Sequence, residues 1–334
     1  MREKRASRPL MVLTSVLPGE AASLCEHRVR LRVFKARGRR TEEEVLRCLS
    51  RADGAVTLLT DPVTAGVLGR CPNLKVVSNV AVGTDNIDLE AAARLGITVT
   101  HTPDVLTEAT ADLAWALILG VARRVSEGDR MVRAGRFKGW SLGLLLGMDL
   151  RGKTLGIVGM GRIGQAVARR APAFGMRVAY TQRRRLPDSV EASLSARYVA
   201  LDDLIGAADV LTLHSPLTAE TRHLLGAERL AAMKPGALLI NTSRGPLVDE
   251  EALVACLRSG HLGGAGLDVY EREPLLAPGL RRLPNVLLMP HVGSAARETR
   301  EAMARMAVAD CLAVLEGHPP EHAVTAGSGE GSEE

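Results

Sequence analysis

Three polar residues stand where short apolar runs end, and together they could move a proton beside a bound acid. Arg244 follows ALLIN in INTSRGPLVDE, Glu273 lies just past GLDVY in GLDVYEREP, and His291 follows NVLLMP in LMPHVGSA. An imidazole titrates nearest neutrality, which makes His291 a candidate acid and base. A carboxylate can hold one ring nitrogen and favour the charged ring, a role open to Glu273. A guanidinium grips a carboxylate through paired hydrogen bonds, a role open to Arg244. Singly, each also has an ordinary reading: a surface arginine, a capping glutamate, a histidine before a turn. Placement raises them above that, because open α/β sheets gather their chemistry beyond the carboxyl ends of their strands.

A phosphate-binding turn lies upstream. Gly159, Met160, Gly161, Arg162, Ile163 and Gly164 have the G-x-G-x-x-G spacing, follow the run TLGIV and open a helical pattern, RIGQAVARRA. In that setting the glycines permit a tight turn and the approach of a pyrophosphate, whose charge rests on backbone N–H groups at the helix start. All six residues are candidate cofactor contacts. A dinucleotide fold that takes NAD ends its second strand, about 20 residues on, with an acid for the ribose hydroxyls. Here that place, 180–185, reads YTQRRR. A carboxylate would repel a 2′-phosphate, whereas an amide among guanidiniums would bind it. The run predicts NADP(H) as the preferred cofactor, held by Arg183 first, then Gln182 and Arg184. NAD(H) beside a solvated arginine loop is the alternative.

Such groups need a frame of strands with loops at one end. Short apolar runs alternate with helical segments along almost all of the chain, the pattern of parallel α/β architecture. Ahead of the glycine turn, strands are predicted at Leu10–Val16, Ala55–Leu59, Lys75–Ser78 and Ile97–Thr100. Thr41-Glu42-Glu43-Glu44 reads as a capping box, and Asp88–Leu95 as a helix stopped by Gly96. A mostly apolar helix is predicted over 107–124. Beyond Lys153, strands are predicted at Thr154–Val158, Arg177–Tyr180, Asp209–Leu213, Ala237–Asn241, Gly264–Val269 and Asn285–Met289, enough for a doubly wound nucleotide-binding domain. A last helix follows at 296–316. The expected fold is therefore α/β, with two Rossmann-like or flavodoxin-like domains of doubly wound parallel sheet, the cofactor domain inserted into the substrate domain. The boundaries read as 1–102 with 296–320 for the substrate domain and 103–295 for the cofactor domain. The helices at 107–124 and 296–316 would form the hinge, and the cleft would lie between the domains. The end, EHAVTAGSGEGSEE (321–334), reads as a disordered tail.

At 334 residues the chain has room for two domains. Its composition, 46% hydrophobic and 24% charged, is globular, and with aromatics at 2% the cores must be built from Ala, Val and Leu. The formal charge of +5 is scattered rather than striped, which argues against nucleic acid. Five cysteines (Cys25, Cys48, Cys71, Cys256, Cys311) show no close pair and read as thiols of a reducing cytoplasm. The eight histidines include no pair at ligand spacing with a carboxylate, so no metal is predicted. MREKRASRPLMVLTSVLPGEAAS mimics a signal peptide, but its apolar run is short, interrupted by Thr14 and Ser15, and followed by Pro18-Gly19. A first strand explains it better. No run approaches the roughly 18 apolar residues of a membrane span. A cytoplasmic protein without a membrane partner is expected.

Together, NVAVGTDNID (79–88), TPDVLTEATADLAWALIL (102–119), GKTLGIVGMGRIG (152–164), LHSPLT (213–218), NTSRGPLVDE (241–250), GLDVYEREP (266–274) and PHVGS (290–294) resemble the D-isomer-specific 2-hydroxyacid dehydrogenases over about residues 45–318. FKGWSLGLLLGMDLRGKT and YTQRRR look most like the glyoxylate/hydroxypyruvate reductase branch. The resemblance implies reduction of a small 2-oxo acid, glyoxylate to glycolate or hydroxypyruvate to D-glycerate. His291 would be general acid in reduction and base in oxidation, Glu273 its orienting carboxylate, and Arg244 the grip on the carboxylate and keto oxygens. Backbone N–H groups of Val82 and Gly83 would hold the second carboxylate oxygen. Asp268 would contact the nicotinamide amide, with Thr242, Ser243 and Gly293 lining the cofactor beside Arg244 and His291. Thr110 would lie near the cofactor, unless its hydroxyl simply bonds its own helix. Trp140 would sit in a homodimer interface or reach a neighbouring subunit's pocket. Other substrates within the family stay open, among them 3-phosphoglycerate, against which the short acidic tail argues, phosphite, and formate, against which Glu273 argues. So does a nucleotide-sensing protein like the corepressor C-terminal binding protein.

Overall fold

Short, mostly apolar strands alternate with helices in the computed structural model, which describes residues 8–35 and 38–324. The chain begins with β1 (Leu10–Leu13), β2 (Arg30–Val33), α1 (Glu42–Leu49), β3 (Gly54–Thr57), α2 (Ala65–Leu68), β4 (Val76–Asn79), α3 (Leu89–Arg94) and β5 (Thr98–Thr100). Next come α4 (Thr107–Ala122), α5 (Val125–Arg133), β6 (Thr154–Val158), α6 (Arg162–Arg170), β7 (Arg177–Thr181), α7 (Asp188–Leu194) and β8 (Ala196–Tyr198). They lead to α8 (Leu201–Ala207), β9 (Val210–Leu213), α9 (Ala227–Ala232), β10 (Leu238–Asn241), α10 (Glu250–Arg258), β11 (Gly264–Leu267) and β12 (Val286–Leu288). The chain closes with α11 (Arg297–Leu315) and β13 (Ala323–Val324). It forms two compact units: Thr107–Gly293, and the residues on either side of that segment.

In the flanking unit the sheet order is β13-β5-β4-β3-β1-β2, parallel except for β13. Strands β3 and β4 are buried along their whole length, as sheets covered on both faces require. Helix α11 lies on β3 and β4 and buries Ala304, Ala307, Val308, Cys311 and Leu312 there. Each fully buried Val or Leu contributes about 1.5–3 kcal/mol to that packing. The capping box forms: the Thr41 hydroxyl accepts from the Glu44 N–H, and Glu44 accepts from the Thr41 N–H at 2.8 Å.

In the inserted unit seven parallel strands run β12-β11-β10-β9-β6-β7-β8. The order of connection reverses between β6 and β9, so the loops after these two strands open a crevice at the carboxyl edge. The glycine turn follows β6 and the LHSPLT segment follows β9. Helix α4 packs on β10 and β11 and belongs wholly to this unit. The units therefore part at Leu106/Thr107 and Gly293/Ser294 rather than at 102/103 and 295/296.

Three strands, β2, β8 and β13, go beyond the expected set. Strand β2, RLRV, is exposed at every residue, and β8, ARY, lies at the other sheet's edge. Edge strands need no continuous apolar run, so the sequence pattern hides them. Helix α5 buries no residue. The tail needs correction at its start: Glu321–Val324 is held in place, because buried Asp310 accepts from the Glu321 N–H and pairs with His322 Nδ1, both at 2.9 Å, while Ala323 and Val324 pair with β5. The rest of that tail, 325–334, lies outside the described residues. Among the described residues no helix is long and apolar enough to cross a membrane.

Candidate active site

The chain leaves β6 at Gly159 with φ +91°, a region that disfavours any β-carbon. A Cβ there would also stand 2.7 Å from the His214 carbonyl carbon and 2.8 Å from the Ser215 nitrogen. Glycine is thus demanded twice, by backbone conformation and by the close approach of the β9 loop. Gly161 caps α6 and has no side chain to engage the helix's N–H groups, which leaves that end suited to an anion. Met160 is fully buried and Ile163 packs against the core, so both side chains face inward.

The residues after β7 divide into two kinds. Gln182 is tied back into the protein: its Oε1 accepts the Met160 N–H at 3.1 Å and its Nε2 donates to the Arg184 carbonyl at 2.5 Å. Arg185 pairs with Glu191 through two bonds of 2.6 and 2.9 Å. Arg183 and Arg184 are exposed, and no hydrogen bond or ion pair among the described residues engages their guanidinium groups.

The β10 loop is built around a buried asparagine. Asn241 accepts the Ser243 N–H at 3.0 Å and donates to the Arg244 carbonyl at 2.8 Å, closing a tight turn that presents the Arg244 side chain. Arg244 Nη1 donates to the Ser243 carbonyl at 3.0 Å, and the Ser243 hydroxyl to the Ser215 carbonyl. The Thr242 hydroxyl is buried without a hydrogen-bond partner among the described residues. At Gly245 a Cβ would sit 1.9 Å from the Tyr270 carbonyl carbon, so the loops after β10 and β11 touch through bare backbone.

Beyond β11 one carboxylate shapes the histidine turn. Asp268 is fully buried; its two oxygens accept the Val292 and Gly293 N–H groups, each at 2.7 Å, and its carbonyl accepts the His291 N–H at 2.8 Å. Burial pushes its carboxyl above the usual range, against the pull of those N–H groups and of His291. His291 is held at φ +54°. Its Nδ1 lies 2.9 Å from Glu273 Oε2, and Glu273 Oε1 accepts the Tyr270 N–H at 3.1 Å. Burial works against ionisation of Glu273, but the His291 bond and charge, the Tyr270 N–H and the Arg244 charge outweigh it and hold the carboxyl below its usual range. An ionised carboxylate on one ring nitrogen leaves the other for proton exchange, beside a guanidinium suited to an acid.

Thr110 is buried in α4 and lies beside Gly293, whose Cβ would meet its Cγ2 at 3.4 Å. Its hydroxyl makes no hydrogen bond to its own helix among the described residues. In the flanking unit, Asn79 donates to the Gly83 carbonyl at 2.9 Å and to Asn86, and His101 Nδ1 lies 2.9 Å from the Val82 carbonyl. The carbonyls of this loop are thereby engaged, while the Val82 and Gly83 N–H groups donate to nothing among the described residues. Trp140 is 82% exposed.

The family model for the D-isomer specific 2-hydroxyacid dehydrogenase NAD binding domain matches residues 115–293, the segment that holds the glycine turn, Arg244, Glu273 and His291. The chain belongs to the D-isomer specific 2-hydroxyacid dehydrogenases. It is similar to the glyoxylate reductase of Thermococcus litoralis, 45% identical over 95% of this chain and 97% of that one. A crystal structure of a Thermus thermophilus protein is 51% identical, with a TM-score of 0.89 over 95% of this chain and all of that one. An NADPH-dependent glyoxylate/hydroxypyruvate reductase from Sinorhizobium meliloti, solved with NADP and malonate, is 34% identical with a TM-score of 0.84 over 95% and 97% of the two chains.

A dehydrogenase of this family works with a nicotinamide cofactor, and the residues present fit one. The cradle at Gly159 admits no side chain, Gly161 leaves the helix start bare, and the orphaned Thr242 hydroxyl awaits a polar partner. Sequence reasoning missed Asn241, Gln182's structural bonds and the grip of Asp268 on the histidine turn. All three act through backbone atoms, which residue types alone do not reveal.

Proposed function

We propose that this dehydrogenase is an NADP(H)-preferring reductase of glyoxylate and hydroxypyruvate, with Arg244, Glu273 and His291 as its catalytic residues. The observation that carries the reading is the 2.9 Å contact between His291 Nδ1 and an ionised Glu273, with the Arg244 charge beside it. When bound, the reduced nicotinamide supplies the hydride that reaches the keto carbon. Arg244 holds the carboxylate and keto oxygen and draws off the charge that grows there. His291 Nε2 gives its proton to that oxygen, and in oxidation takes it back. Glu273 keeps the ring oriented. The N–H groups of Val82 and Gly83 are donors for a carboxylate oxygen of the acid. Thr110, Thr242, Ser243, Asp268 and Gly293 line the nicotinamide end, and Arg183 and Arg184 meet the 2′-phosphate.

The protein is also proposed to act as a homodimer in a reducing cytoplasm. Exposed Phe137, Trp140, Leu142 and Leu146 support the first, and five unbridged cysteines the second. A panel crossing NADPH and NADH with glyoxylate, hydroxypyruvate, pyruvate and phosphohydroxypyruvate tests the activity. NADPH with glyoxylate or hydroxypyruvate should turn over fastest; a preference for the phosphorylated acid, or cofactor binding without oxidation, would replace the reading.

A further inference from the structure

We infer that Tyr180, Glu191 and Arg185 are positioning residues for NADP selectivity: they clamp the far end of the arginine run and so aim Arg183 and Arg184. Three adjacent guanidinium groups repel one another, and each loses rotamer freedom when it is fixed. A loop of this composition grips a phosphate well only if something else orders its backbone beforehand.

Both ends of this loop are tied. At the start, Gln182 links the glycine turn to the Arg184 carbonyl. At the finish, Tyr180 is fully buried, donates its hydroxyl to Glu191 at 2.6 Å and accepts the Leu186 N–H at 2.8 Å. Burial, with the Glu191 bond, pushes the Tyr180 hydroxyl up to about 12, so it remains a donor. Glu191, on α7, takes Arg185 through both oxygens, and Asp188 adds a contact to Arg185 at 3.3 Å. The Arg185 bond and then the Tyr180 hydroxyl hold the Glu191 carboxyl at about 2, ionised at any working pH. Arg185 is thus neutralised by helix α7 and is not a phosphate ligand, although it belongs to the same run as Arg183 and Arg184.

This inference rests on the NADP reading above, and one set of binding measurements separates the two. Dissociation constants for NADPH and NADH are measured by calorimetry on the wild type, Arg185→Ala, Glu191→Gln and the double variant. The wild type should bind NADPH more tightly; equal affinities would defeat the NADP reading and this inference with it. Each single variant should weaken NADPH about fivefold or more while NADH moves less than about twofold, since only the phosphate contact depends on the aim of the loop. The double variant should be no worse than either single, because both break the same clamp. If Glu191→Gln tightened NADPH instead, Arg185 would be a direct ligand that Glu191 restrains. An unchanged NADPH-to-NADH ratio in Arg185→Ala would likewise overturn the clamp while leaving the NADP reading intact. Unaltered NADH affinity in each variant serves as the check that the fold survives, and Tyr180→Phe supplies a milder third arm that should shift the ratio in the same direction.

Discussion

His291 occupies the left-handed region of backbone space, a conformation that costs a residue with a β-carbon on the order of 1–3 kcal/mol. It persists because Asp268 fastens the turn at three backbone N–H groups, so the strain is held in place by a buried carboxylate. The identities and order of Arg244, Glu273 and His291 were legible in the sequence; the backbone that aims them was not, since its bonds join strands far apart in the chain. A second histidine has a testable consequence. His214, in the loop pressed against the glycine turn, pairs its Nε2 with the Thr212 hydroxyl at 2.9 Å, and burial lowers its pKa from 6.5 to about 4. Between those values the folded chain binds fewer protons than the unfolded one. The stability His214 supports is therefore whole above pH 6.5 and is lost as pH falls toward 4, on the order of 3 kcal/mol in all. Denaturant titrations of the wild type should show that decline, and His214→Asn should flatten it; equal slopes in the two proteins would contradict the assignment.

At the scale of elements, the glycine turn depends on two loops meeting at bare backbone. Gly159→Ala should destabilise the protein by about 2–4 kcal/mol, through the positive φ and the clash with the His214 backbone, and should weaken NADPH binding with it. Thermal unfolding with and without cofactor measures both, and a variant that melts and binds like the wild type would show that the turn is not built as described. The inner strands, β3, β4, β6, β9, β10 and β11, were readable because burial on both faces writes an apolar run into the sequence. Strands β2, β8 and β13 were not, because each lies at an edge and is fixed by its neighbour's backbone. The sequence likewise could not show that Gln182 is committed to Met160 and Arg184, since an amide in that position serves a ribose or a loop equally well.

For the whole molecule, the exposed apolar residues of the inserted unit are the main unexplained cost. Trp140 and Leu142 are each 82% exposed and Leu146 69%, a patch that a second copy would cover. Trp140→Ser combined with Leu142→Ser should turn a dimer into a monomer in sedimentation equilibrium; a wild type that sediments as a monomer would remove the homodimer from the account. One imidazole, backed by Glu273, is proposed to deliver the proton. This role is tested most directly by kcat for glyoxylate reduction in His291→Ala, with the NADPH dissociation constant measured on the same sample. A fall in kcat of about 10²–10⁴-fold is expected, with NADPH affinity changed by less than about twofold. Turnover within about tenfold of the wild type would assign the proton to another group.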